Sequence, residues 1–177
     1  HIMGSAVVEV ELEHGAERRT LVFSGDLGQY DSPILHDPVT PEHADLVLLE
    51  TTYGDRRHRD REASLEEFGE VIREAHRERG NVLIPAFAVG RSQEILYQLG
   101  KHFEAWGLSR WRIFLDSPLG IEASEVYWDH AHLIDEDARR IFRGGENMPA
   151  LPNLHFTRSA AESKLINSFR HGAIIIA

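Results

Sequence analysis

No cysteine occurs in the 177 residues. A disulfide framework and a thiolate metal site are therefore both excluded. Any metal has to be held by histidine and carboxylate, and eleven histidines are on hand. No apolar run approaches the roughly 20 residues that cross a bilayer, and no stretch reads as a signal peptide or an internal repeat. Positive charge is in deficit, with 19 Lys and Arg against 29 Asp and Glu and a net charge of −10. That balance argues against broad, unspecific attraction to nucleic acid, but it leaves room for basic residues acting locally. A cytoplasmic location with no membrane partner is the expectation. The length and the 42% hydrophobic content suit one ordinary domain or parts of two.

The stretch Leu21-Val22-Phe23-Ser24-Gly25-Asp26 organises the rest. Its three apolar residues read as a buried strand that ends in a small-residue turn and delivers one carboxylate. The C-terminal ends of strands are where α/β proteins tend to place their chemistry; the alternative is that Asp26 merely caps the turn. A second apolar run, Leu46 to Leu49, ends the same way in Glu50-Thr51-Thr52-Tyr53-Gly54-Asp55. Two neighbouring strands that end in acids suggest one shared site.

Val8, Val10 and Leu12 alternate with Glu9 and Glu11, the period of a half-buried strand, and Thr20 to Phe23 is expected to return antiparallel after a turn at His14-Gly15. Residues 31–44 carry Pro33, Pro38 and Pro41 and read as a loop. Arg56 to Arg61 is a dense charged run, either a solvated face or a contact beside the acids. Ser64 to Glu67 has the pattern of a capping box, predicting a helix that begins there and stops near Gly80. Strands are predicted over Asn81–Ile84, over Trp111–Leu115 and at the apolar C-terminal run. Helices are predicted after Gly90, from Pro118, and from a second capping box, Ser159 with Glu162, through Phe169. Residues 130–153 are less regular. Strands alternating with helices imply parallel βαβ units, so the fold class is α/β. Residues 1–52 are the antiparallel edge of one sheet, and 53–177 form a parallel sheet flanked by helices. Both termini fall abruptly, the last inside a core strand, so the chain is expected to be part of a longer protein.

Helix starts at strand ends offer free backbone donors to anions. Three carry suitable groups: Gly90-Arg91-Ser92, Asp116-Ser117-Pro118, and Ser159 to Lys164. Arg91 could fork onto a phosphate or pair with Glu94 on its own helix.

The order of short motifs resembles metallo-β-lactamase-fold nucleases of the β-CASP branch. His1-Ile2-Met3-Gly4-Ser5-Ala6 is similar to their third metal-binding motif, although His1 can also be read as a cloning remnant. Phe23-Ser24-Gly25-Asp26 is similar to the fourth motif, Leu49 to Arg56 to the first acidic β-CASP motif, and Pro85 to Glu94 to a long stretch typical of the branch. Asp116-Ser117-Pro118-Leu119 and Glu162-Ser163-Lys164 fit as well. That branch cleaves RNA, and in some members DNA, as exonucleases or as the endonuclease of pre-mRNA 3′-end cleavage. The resemblance implies two zinc ions that activate a hydroxide and clamp the attacking and leaving oxygens. Asp26 would bridge the metals, His1 would ligate one, and Glu50 would orient a histidine lying further along the full protein. Arg56, Arg91, Ser92, Ser117, Ser163 and Lys164 are the candidate phosphate contacts. Single-stranded RNA is the expected partner, with DNA as the alternative substrate and a homodimer allowed for. The branch's main metal motif, His-x-His-x-Asp-His, is absent, and His58 within Arg57-His58-Arg59-Asp60 does not supply it. The chain alone is therefore expected to be inactive and to bind zinc poorly. The competing readings are a non-catalytic nucleic-acid-binding subunit and, more remotely, a small-ester or thioester hydrolase.

Overall fold

The computed structural model describes residues 2–142 and 151–177. The chain divides after His58 into two compact units, the second being Arg59–Ala177.

The first unit is a three-stranded sheet in the order β1-β2-β3. β1 (Val8–His14) and β2 (Glu17–Phe23) form the expected antiparallel hairpin, with Val8 opposite Phe23 and His14 opposite Glu17. β3 (Leu46–Leu48) then pairs parallel to β2, with Phe23 beside Leu48. Asp45 fastens the start of β3: its carboxylate accepts from the Thr20 backbone N–H at 2.7 Å and from Arg19 at 3.2 Å. The apolar run Leu46–Leu49 does form a strand, but its side chains are not buried. Leu46 and Leu49 are each 60% exposed, because β3 is the sheet edge and is partnered only on its β2 side. Of the Leu21–Phe23 run, Val22 is buried and Phe23 is exposed, as a two-residue period requires.

The second unit is the expected parallel sheet, in the order β4-β7-β5-β6. β4 is Val82–Ile84, β5 Arg112–Leu115, β6 Leu154–Phe156 and β7 Ala173–Ile176. Ile113 lies beside Ile174 and Leu115 beside Ile176, so these four share one face, all fully buried. They pack with Ile72 of α1 (Arg61–Arg77), Leu96 and Leu99 of α2 (Arg91–Lys101) and Ile121 of α3 (Pro118–Asp129). Phe114 and Ala173 occupy the other face, against Ile166 of α5 (Ala160–Ile166). Burial of an aliphatic side chain contributes roughly 1.5–3 kcal/mol, and a sheet covered on both faces explains why β7 reads as an unbroken apolar run. No helix among the described residues is long and apolar enough to cross a membrane.

Local signals place most helix starts. Ser159 and Glu162 close their capping box, and Pro118 occupies the first turn of α3 behind Ser117, whose hydroxyl accepts from the Gly120 N–H at 3.1 Å. The Ser64 box is not used. Asp60 caps α1 instead, accepting from the Ala63 N–H at 2.9 Å, while Glu67 pairs with Arg59 at 2.6 Å. An aspartate is a cap at least as good as a serine, and starting at Arg61 adds about one helical turn. α5 ends at Ile166 rather than Phe169. Within the region taken as irregular, α4 (Glu136–Phe142) forms, with Asp135 accepting from the Ala138 N–H at 2.7 Å. Gly144, Gly145 and Pro149 lie outside the described residues.

Gly69 faces the Trp106 indole, where an added Cβ would stand 2.5 Å from the ring nitrogen. Gly→Ala inside a helix ordinarily gains about 0.5–1 kcal/mol. Here the sign reverses: Gly69→Ala is expected to lower stability by at least about 1 kcal/mol through overpacking, and urea denaturation reads this directly. A stabilised variant would show that the indole yields freely.

Candidate active site

β2 and β3 run parallel as neighbours, so the loops leaving their C-terminal ends emerge at the same edge. The first loop carries Asp26 and the second Glu50. Ser24 joins them. Its backbone N–H extends the ladder to Leu48 O at 2.9 Å. Its buried hydroxyl donates to Gly25 O at 2.8 Å and accepts from the Glu50 N–H at 2.9 Å. Gly25 sits at φ 54°, and a Cβ there would lie 2.3 Å from the carbonyl oxygen of Ala6. Only glycine fits this turn without displacing the chain that leads to Asp26.

Asp26 is exposed, and its carboxylate makes no hydrogen bond or ion pair to the described residues, so the turn-capping role has no support there. Glu50 is half-buried, and Oε2 accepts from the Thr52 backbone N–H at 3.0 Å. That bond, the largest influence, holds the Glu50 carboxyl below its ordinary range. Asp45 is likewise lowered, first by the Thr20 N–H and then by Arg19. His1 lies outside the described residues. Among the described residues no three His, Cys, Asp or Glu side chains form a group able to hold a metal. Since a catalytic zinc takes about three protein ligands, these residues alone do not fit a complete metal centre, and Asp26 is a single ligand residue.

Beyond Glu50, the Tyr53 ring lies 4.3 Å from the His58 ring, and the Arg56 guanidinium is 5.2 Å from the centre of the Tyr53 ring. Arg56 also reaches Asp55 at 3.9 Å.

In the second unit, the remaining candidates gather at the C-terminal edge of the parallel sheet, and most are engaged. Arg91 pairs with Glu94 at 2.5 Å. Ser92 is buried and donates to Phe87 O at 2.8 Å. Ser117 caps α3. Ser163 donates to Asp116 Oδ2 at 2.9 Å. Lys164 is exposed and makes no ion pair among the described residues.

Two polar hubs at this edge escaped the sequence reading. Asp116 also accepts from the Thr157 hydroxyl at 2.6 Å, so one carboxylate ties β5, the residue after β6, and α5. Thr157 directly follows an apolar strand, the one available clue. Gln93 is 2% exposed. Its Oε1 accepts from the Gly90 N–H at 2.6 Å, and its Nε2 donates to Ala88 O at 3.1 Å and to Ser124 Oγ at 2.8 Å. It joins the loop after β4 to α3.

Residues 92–177 match the Beta-Casp domain family. The whole chain is 38% identical over 177 residues to Ribonuclease TTHA0252 of Thermus thermophilus, covering 40% of that protein. It is 27% identical over 165 residues to Endoribonuclease YSH1 of Saccharomyces cerevisiae, covering 90% of this chain and 21% of the relative. It is 30% identical over 143 residues to Probable RNase MJ4 of Methanocaldococcus jannaschii, covering 78% of this chain and 31% of the relative. The chain thus spans two fifths or less of these curated relatives.

The Glu50 bond sets a pH dependence. A carboxyl whose folded pKa is depressed contributes stability that is present above its unfolded pKa and lost as pH falls through the folded one. Carbon-detected NMR titration is expected to place the Glu50 midpoint below the roughly 4.3 of an unperturbed glutamate, with the Thr52 amide resonance moving in the same step. A midpoint at or above that value would remove the Thr52 bond from the site.

Proposed function

Since the chain belongs to the β-CASP branch of metallo-β-lactamase-fold nucleases, we propose that it is part of a ribonuclease that hydrolyses phosphodiester bonds in single-stranded RNA. The observation that carries this reading is the placement of Asp26 and Glu50 at the ends of paired parallel strands, joined through Ser24. Such a pair of acids, one free and one hydrogen-bonded, suits two different tasks. Asp26, exposed and unpartnered among the described residues, is the group available to a cation; zinc is the proposed metal. The other ligands come from elsewhere in the full-length protein, with His1 proposed as one. Glu50 is committed by Thr52 to a fixed direction, which suits holding a catalytic histidine in position.

Phosphate contacts are proposed for Arg56, Arg91 and Lys164. Arg91 has to leave Glu94 to serve, an exposed pair whose rupture costs about 0–1 kcal/mol. Ser92, Ser117 and Ser163 contribute by fixing the helix starts, because their hydroxyls are engaged in the structure.

In the full-length protein, Asp26→Ala is expected to abolish cleavage of labelled single-stranded RNA and to lower bound zinc, while Glu50→Gln cripples cleavage with zinc retained. Elemental analysis beside the cleavage assay separates the roles. Equal zinc loss in both variants would make Glu50 a ligand, unchanged cleavage in Asp26→Ala would remove Asp26 from the metal site, and absence of cleavage by the wild-type protein would point to a non-catalytic subunit instead. The 177-residue chain alone is expected to show no RNA cleavage and only weak zinc binding by calorimetric titration; tight uptake of two zinc ions would contradict the proposed split of ligands.

A further inference from the structure

The edge of the parallel sheet opposite the engaged candidates carries a different charge pattern. The loops that enter β4, β7 and β5 bring Arg79, His171 and Arg110 together with His76 from the last turn of α1. With Gly80 and Gly172 these residues line a pocket of about 290 Å³. Arg170 immediately precedes the pocket's His171, and Arg112 opens β5 with its guanidinium 5.0 Å above the Phe169 ring. All six of these basic side chains are exposed. None of the four arginines forms an ion pair among the described residues. At the other edge Arg91 and Arg158 are neutralised, by Glu94 at 2.5 Å and Glu125 at 2.6 Å. The acids of the adjoining helix end are Glu74, which pairs with Arg77 at 3.8 Å, and Glu78.

The frame behind these cations is fixed. Gly172 donates to Gly80 O at 3.0 Å, and Arg112 donates to Gly172 O at 2.9 Å. Asn81 donates to Phe169 O at 2.8 Å and accepts from the Ala173 N–H at 3.0 Å. The loops that bear the arginines are therefore held by backbone bonds and by the Asn81 side chain, while their guanidinium groups form no ion pair among the described residues. Arg79 itself sits at φ 59°, a conformation unfavourable for a side chain of this kind.

We propose that this edge is a second RNA-binding site, which takes phosphates of the strand at the opposite end of the parallel sheet from Arg91 and Lys164. The proposal rests on the ribonuclease reading. Three observations favour a nucleic-acid strand. The cations form a line across three neighbouring strands, about 10 Å long at the usual strand spacing, rather than a single focus. Guanidinium groups match phosphate oxygens in a two-pronged geometry. The pocket of about 290 Å³ has room for a phosphodiester group, and its lining carries Arg79, Arg110, His76 and His171 with no acid. In a chain of net charge −10, an uncompensated basic line is also where an anionic strand meets least repulsion.

The test is anisotropy binding of a labelled 20-nucleotide oligouridine to the full-length protein at 50 to 200 mM salt, with cleavage followed in parallel. The variants are Arg79→Gly with Arg110→Ala, and Arg110→Lys alone. Arg79→Gly relieves the positive φ, so weaker binding by the double variant cannot be put down to a strained turn. Each cation on a single-strand phosphate contributes about −0.7 to the slope of log affinity against log salt. The double variant is therefore expected to lose about 1.4 of slope, so that wild type loses about sevenfold more affinity than the variant across that range. Arg110→Lys, which keeps the charge, should retain most of the wild-type slope. An unchanged slope in the double variant, with cleavage by wild type intact, overturns the second site alone. Absence of both binding and cleavage in wild type overturns the ribonuclease reading with it. Loss of binding to polyglutamate but not to RNA would assign the edge to an acidic protein and overturn the proposal.

Discussion

Parallel pairing forces consecutive strand ends to one edge, and this chain uses that constraint in both of its units. In the first, it brings Asp26 and Glu50 to the same end of β2 and β3 although 24 residues separate them in sequence. In the second, it gathers Asp116, Thr157 and Ser163 at one edge and Arg79, His171 and Arg110 at the other. The candidate residues sit on the loops and first helical turns at the strand ends, and it is the ladder that decides which of these are neighbours. Small polar groups then lock the loops down. The Ser24 hydroxyl does this between the acid-bearing loops, Asp116 between β5 and α5, and Gln93 between the loop after β4 and α3. A buried polar group of this kind costs more to leave unpaired than its bond returns, so each one specifies its loop geometry more than it adds stability.

The same logic sorts carboxylates and cations by use. A glutamate that accepts a backbone N–H, as Glu50 does from Thr52, is oriented and kept ionised. An aspartate with no partner among the described residues, as at position 26, is available. Arginines paired with nearby acids, as Arg91 and Arg158 are, have their charge partly spent; those without such acids retain it. In a chain with a net charge of −10, cations that this sorting leaves uncompensated can meet an anionic strand without first giving up an acid partner.

Much of this was legible in the sequence, and the exceptions have physical causes. The two sheets, the parallel βαβ order and the cap at Ser159 follow from period, strand length and short-range hydrogen bonding, all local. The Ser64 cap failed because Asp60 offered an equal acceptor one turn earlier. Phe23, read with Leu21 and Val22 as a buried run, and the apolar Leu46–Leu49 are exposed, because hydrophobicity reports what a strand can bury and not what packs on it. α4 was hidden in a polar, irregular stretch, though Asp135 before two further acids was a usable start signal. Thr157 with Asp116, and Arg158 with Glu125, could not be read at all, because the partners are 41 and 33 positions apart in sequence. The arginine edge was invisible for the same reason, since its members come from three separate strand entrances.

The central claim is that Asp26 and Glu50 divide one site between metal binding and positioning. Anomalous diffraction at the zinc edge from crystals of the full-length protein addresses it most directly. The account predicts a zinc peak about 2.0–2.2 Å from an Asp26 carboxylate oxygen, with Glu50 outside bonding distance of any metal and still on the Thr52 N–H. A zinc site that excludes Asp26, or one that takes Glu50 as a ligand, would contradict it.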